Sequence, residues 1–211
     1  MSLKKLVVLS VLTCTLSISG VTSAADLSVG GQIRMGGACS MTLGNGGVVG
    51  LGNLSRKDFP GPYRDPLIER EMPLTINCQN PTKVGVDVID NRKGTSSLGH
   101  PWTFGLGNPA IGLYTIWDVG PTQLDGREGV PLRRSKGEST WREMEYSWND
   151  RRTASWGVGQ RGGSALEREG NPVAFKTLTT TLAIYFYPEM DSTFTDAHEL
   201  DGSATLELVY L

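Results

Sequence analysis

The closing stretch Asp201-Gly202-Ser203-Ala204-Thr205-Leu206-Glu207-Leu208-Val209-Tyr210-Leu211 decides how this chain is read. Ala204, Leu206, Leu208 and Tyr210 alternate with Ser203, Thr205, Glu207 and Val209, the period-2 signature of a strand with one buried face. Asp201-Gly202 ahead of them is a turn dipeptide, and the alternation runs to the last residues. A terminal strand frays unless something holds it. This one is therefore expected to dock against a core.

The same alternation recurs upstream. Leu27, Val29, Gly31, Ile33 and Met35 open the exported part, and the strand is expected to run through the first cysteine to Leu43. Leu74, Ile76 and Cys78 alternate, then Val84, Val86 and Val88, then Leu182, Ile184 and Phe186 against Ala183, Tyr185 and Tyr187. Ala110–Val119 is apolar on both sides, as a central strand would be. Asn45-Gly46-Gly47 reads as a hairpin turn leading into a second short strand at Val48–Leu51. Asn80-Pro81, Asp90-Asn91 and Pro188 are further breaks, Phe59–Pro66 is a proline-rich crossing, and Gly94–Pro109 is a loop. Gly120–Gly163 is the hardest part to read, with a hairpin expected around Trp141–Trp148 and a glycine-rich loop at Gly157–Gly163. About seven or eight short strands with frequent turns predict an all-β, antiparallel β-sandwich with loop insertions.

Residues 1–25 have the form of a secretory signal: Lys4 and Lys5, an apolar run from Leu6 to Ile18, and Thr22-Ser23-Ala24-Ala25 before a cleavage point near Ala25. The expected mature domain is residues 26–211. Losing the two lysines takes the cations from 20 to 18 against 22 acids, a formal charge of −4. No basic block is present, so nucleic acid is not an expected partner.

Catalytic and metal motifs fit poorly. Two histidines, His100 and His198, are too few for a zinc site, and Glu199 beside His198 does not make H-E-x-x-H. Gly105-Leu106-Gly107-Asn108-Pro109 lacks the Lys-Ser and helix of a phosphate loop. Asp191, Asp196, Glu199 and Asp201 miss the spacing of a calcium loop. The expectation is no catalytic residue, no metal and no cofactor. Five tryptophans leave two readings open: Trp102, Trp141, Trp148 and Trp156 as a surface that stacks a carbohydrate ligand, or as core and loop anchors, with Trp117 structural in either case.

Cys14 falls in the signal, which leaves Cys39 and Cys78. A redox pair lacks the C-x-x-C spacing, and a metal half-site lacks ligands; a structural disulfide is the simpler reading in an exported chain. It would close a loop of about 40 residues, worth roughly 4 kcal/mol in the chain-entropy account.

Three motifs carry a resemblance: Gly-Gly-Gln-Ile through Gly-Ala-Cys-Ser at residues 30–40, Ile-Asn-Cys-Gln-Asn-Pro-Thr-Lys-Val at 76–84, and Leu-Asp-Gly-Ser-Ala-Thr-Leu-Glu-Leu-Val-Tyr-Leu at 200–211. They resemble chaperone–usher pilins and, over the mature chain, fimbrial-like exported proteins of Gram-negative bacteria whose function is not established. The resemblance implies an Ig-like, pilin-type sandwich lacking its last strand. It implies that Gly202, Ala204, Leu206, Leu208, Tyr210 and Leu211 form a groove for a chaperone or a donor strand, opposite a first strand whose apolar face is Leu27, Val29, Gly31 and Ile33. It implies a periplasmic chaperone, an usher and other pilus subunits as partners, in the periplasm or the fimbrium. The short run before the first strand departs from a polymerising pilin, whose free extension is about 10 residues or more. The expected role is therefore a non-enzymatic fimbrial or fimbrial-like subunit, at a tip or terminating a fibre, with adhesion as its context. The alternative is a stand-alone periplasmic binding or regulatory protein whose sandwich is completed by its own chain, for instance by a segment of Gly120–Gly163.

Overall fold

A half-apolar strand needs a neighbour for its backbone and a second layer for its apolar face. The computed structural model supplies both. It describes residues 38–54, 68–144, 148–158, 169–189 and 199–211, all within the unit Arg34–Leu211. The expected signal, the first-strand residues Leu27, Val29, Gly31 and Ile33, and Phe59–Pro66 lie outside the described residues.

The strands are β1 (Cys39–Leu43), β2 (Ile68–Thr82), β3 (Val84–Asp90), β4 (Gly112–Asp118), β5 (Gln123–Leu124), β6 (Arg127–Ser135), β7 (Trp141–Glu143), β8 (Arg152–Val158), β9 (Glu169–Gly170), β10 (Phe175–Pro188) and β11 (Ala204–Tyr210). Their pairings are antiparallel and follow the path β1-β2-β10-β5-β6-β8-β3-β11, with β4 on β10 and β7 between β6 and β9. The result is an all-β, nearly closed sandwich or barrel. Leu74, Ile76, Leu178, Leu182, Ile184 and Phe186 from one layer meet Val84, Val86, Val88, Ala154 and Trp156 from the other in one core. The alternations in β2, β3, β10 and β11 are thus the core faces expected of them.

Several expectations need correction. Val48–Leu51 is not a strand. Asn45 and Gly46 do adopt the left-handed pair of a hairpin turn (φ 49° and 61°), but the ladder partner of β1 is β2, with Cys39 opposite Cys78 and Leu43 opposite Leu74. Val49 and Leu51 only lean on the core edge. Asn80-Pro81 does not end β2, which runs on to Thr82. β1 covers only residues 74–78 of that strand, so Pro81 removes no bond from the β1 ladder. Cys78 accordingly lies inside a strand of 15 residues rather than at its end.

β4 is buried on both faces, as its composition predicted, yet it is not central. Among the described strands it pairs only with β10, and its other edge is met by a Phe104–Tyr114 bridge and by the Trp148 amide donating to the Ile116 carbonyl. Among the described residues the pairing expected between Trp141 and Trp148 is absent: Trp141 belongs to β7, which pairs with β6 and β9, whereas the Trp148 amide bonds to β4. Residues 120–144 and 148–158 instead build β5–β8 in the middle of the path. Residues 159–163 of the expected glycine-rich loop, and 145–147, lie outside the described residues.

One buried carboxylate ties the layers together. Asp118 of β4 accepts the Thr180 hydroxyl at 2.8 Å and the Thr122 hydroxyl at 3.4 Å on Oδ1, and the Trp156 indole N–H at 3.1 Å on Oδ2. Buried polar groups that lose a shared acceptor carry their full desolvation cost. Asp118→Ala is expected to lower unfolding stability by about 3 kcal/mol, against about 1 kcal/mol for Thr180→Val, both read from urea midpoints.

Candidate functional site

Among the described residues the sheet path ends at β1 and β11, and these two strands come together. Among the described residues, β1 pairs only with β2 and β11 only with β3, so the outer edges of β1 and β11 carry no strand. The Cys39 amide donates to the Tyr210 hydroxyl at 3.0 Å. A whole phenol side chain thus lies between the two backbones at that end, and they do not share ladder bonds. Cys39, Met41 and Leu43 on one lip, and Ala204, Leu206, Leu208 and Tyr210 on the other, are packed on the core but only half-buried. Thr205 and Glu207 face solvent. This apolar seam is the strongest candidate site.

Each lip is held by a different device. The Cys39–Cys78 disulfide is formed and fastens β1 to β2 where the seam begins. β11 is fastened at its start by polar groups of the turn after β3. The Arg92 guanidinium forks onto Asp201 at 2.7 and 2.8 Å, and Asn91 donates to Ser203 and Thr205. Asp90 caps the same turn by accepting the Arg92 and Gly105 amides. At its end, the Leu211 amide donates to the Lys83 carbonyl.

The structure places the expected groove residues unevenly. Ala204, Leu206, Leu208 and Tyr210 line the lip. Gly202 does not: it precedes β11, and a Cβ there would meet Tyr114 at 3.0 Å and Leu106 at 3.2 Å. Its role is close packing of the strand's approach, beside a Tyr114 hydroxyl that burial pushes well above its usual pKa range. Leu211 sits past the strand and is exposed. Met41 and Leu43, the facing lip, were legible only as part of an opening strand. Asn91 was legible only as part of the Asp90-Asn91 break, and Arg92 carried no motif.

Residues 27–105 match the family described as a protein of unknown function, DUF1120. The comparisons with curated proteins and with solved structures find no match. The matched span contains β1 and β3, hence one lip and the strand that carries the other, but not β11 itself.

Other candidates narrow. Trp141, Trp148 and Trp156 are buried and cannot form a sugar-stacking surface. Trp102, 44% exposed, stacks on the exposed ring of His100 at 4.6 Å. Among the described residues no group of three potential ligands could hold a metal, and Asp201 is engaged by Arg92.

Two outcomes follow from the geometry. Leu208→Asp places a charge against the core and should remove several kcal/mol, on the order of 3, abolishing accumulation in export-competent cells. Glu207→Lys, on the solvent face, should accumulate normally on the same blot. The Arg92 hydrogen bonds and charge hold the Asp201 pKa below its ordinary 3.8. A lowered folded pKa gives stability that is complete above the ordinary value and is lost as pH falls through the folded one. Amide protection of Ala204–Leu206, taken against the intrinsic rate at each pH, should therefore fall below pH 3.8 in the parent, and Asp201→Asn should show the lower protection already at neutral pH.

Proposed function

We propose that this protein is an exported, non-enzymatic subunit of the fimbrial class, with a pilin-type sandwich that accepts one extended strand from a partner along the β1–β11 seam. The observation that supports the reading is that, among the described residues, β1 and β11 end the sheet path and meet at Cys39 and Tyr210 beside half-buried apolar side chains. An open edge offers main-chain donors and acceptors, while pockets at alternate positions select side chains, which is the physics of recognition by strand addition. Cytoplasmic reducing conditions disfavour a disulfide such as Cys39–Cys78, which supports export. The pilin resemblance implies a groove along the same closing strand, and a periplasmic chaperone, an usher and neighbouring subunits are the partners of this reading. Exposed Trp102 is the one tryptophan left for a carbohydrate ligand.

The Tyr210–Cys39 hydrogen bond favours a second reading. It draws the two lips together, as a sandwich that closes on its own chain and works alone in the periplasm would require.

Peptide addition separates the two. Protein beginning at Asp26, made without partners, should gain about 5 °C in Tm with excess of a ten-residue peptide of alternating apolar residues. Leu208→Asp, where it can be recovered, should not respond. No response from the parent, together with a response after deletion of residues 26–36, would mean that the chain fills its own seam. No response from either would sink the strand-acceptor reading.

A further inference from the structure

The outer face of the layer that β2, β10 and β4 form carries a second feature, which does not rest on the strand-acceptor reading. Leu182 and Ile184 of β10 belong to the core, so Ala183 and Tyr185 lie on the other side of that strand. Strand partners share a face of the sheet. Glu71, Ala183 and Trp117 therefore form one row across the three strands, and Glu69, Tyr185 and Thr115 form the next. Trp117, expected to be structural, is only half-buried, as is Tyr185; Glu69 and Glu71 are exposed.

The two rows are tied to each other. The Trp117 and Tyr185 rings meet edge to face, with centroids 6.0 Å apart and planes at 84°. The Trp117 indole N–H donates to the Thr115 hydroxyl at 2.8 Å, and the Tyr185 hydroxyl donates to Glu69 at 3.0 Å. Both aromatic donors are thus engaged within the patch, and the rings have their π-surfaces left to offer. Burial, the Glu69 hydrogen bond and the charges of Glu69 and Glu71 push the Tyr185 hydroxyl above its usual pKa range. It stays neutral, and both carboxylates bear on the same spot.

A cation is what this patch lacks. The rows that continue along the face hold Pro73 and Thr181, then Thr42, Thr75 and Thr179, then Ser40, Asn77 and Thr177, none of them basic. Arg70, between the two glutamates in sequence, stands opposite Ile184 on the core side and donates to the Gly50 and Glu69 carbonyls. Among the described residues no ion pair reaches Glu69 or Glu71. Carboxylates beside aromatic surface, with no cation of their own, complement a positively charged group that can also lie on a ring.

We propose that this patch docks an arginine side chain presented by a partner protein, with its guanidinium on the Trp117–Tyr185 pair and its N–H groups on Glu69 and Glu71. A planar guanidinium stacks on an aromatic ring and bonds a carboxylate at once, whereas an ammonium is a compact, strongly hydrated point charge. The exposed carboxylates set the patch at the surface rather than in a concave pocket, which suits a side chain carried by a protein over a free small molecule.

The test titrates the purified protein with the blocked peptide acetyl-Gly-Arg-Gly-amide, to about 10 mM, and follows the Trp117 indole N–H resonance. The arginine peptide should give a saturable shift, and its citrulline counterpart, of the same shape without the charge, should give none. Raising salt from about 0.05 to about 0.5 M should weaken binding several-fold. Glu69→Gln combined with Glu71→Gln, both at exposed positions, should weaken it about tenfold and leave thermal unfolding unchanged, so the test does not depend on a tryptophan variant that folds. Equal shifts from the arginine and citrulline peptides, or undiminished binding in the double variant, overturn the proposal. A saturable shift from the neutral sugar cellotetraose would make the rings a carbohydrate platform and overturn it too, as would no shift from any probe.

Discussion

The ladder between β2 and β10 is the constraint from which the other elements take their places. It runs from Ile68↔Phe186 to Asn77↔Thr177, with a register shift before Phe175↔Thr82. Because side chains alternate, that one register sends Leu74 and Ile76, together with Leu178, Leu182, Ile184 and Phe186, to the same side. A slip by one residue would turn one strand's whole set outward. The strand continues past the ladder, breaks at Lys83 and becomes β3, so the same stretch of chain supplies both layers of the core. Gly85 makes that passage possible, since a Cβ there would lie 2.7 Å from the Ala154 carbonyl.

The two layers would slide on a purely apolar core, and the polar contacts between them fix their relative position. Asp118 and Trp156 meet across the interior, and the Ser155 hydroxyl donates to the Val84 carbonyl at 2.8 Å. Trp156 then stacks edge-on against Trp148 and Phe175. Directional bonds in a dry interior are strong and costly to leave unmade, which favours one arrangement over its neighbours. The seam at β1 and β11 is the exception, with side chains half-buried and, among the described residues, no strand on its outer edges.

Legibility in the sequence followed from how each strand is buried. β3, β10 and β11 could be read because an apolar side faces the core and, in β11, the other side faces water. β6 and β8 could not. The inner side of β6 carries Gly129, Pro131 and Arg133, while its outer residues Val130 and Leu132 are covered as well, with Gly157 and Gly170 approaching Leu132. Pro131 would ordinarily argue against a strand; here its carbonyl accepts the Met144 amide. In β8, Thr153 and Ser155 are buried but polar, each satisfied by a partner on β3, so no alternation survives. The β11 lip was readable for the same reason as its strand. That β1 lies opposite was not, because strand order depends on pairings across long stretches of chain rather than on local pattern.

The distance along the chain between the two lips bears on how the protein is made. The Cys39–Tyr210 bond joins residues 171 apart, and among the described strands β11 is the last to be synthesised. Until it arrives, β3 has one bare edge, and Val86 and Val88 lack the cover of Leu206 and Leu208 opposite them. Contacts this remote are slow to form, and an unfinished sheet with a hydrophobic edge is the species most prone to aggregate. The seven residues of β11 therefore act late in biogenesis as well as in the finished fold. Whatever shields β3 during that interval decides the yield of folded protein.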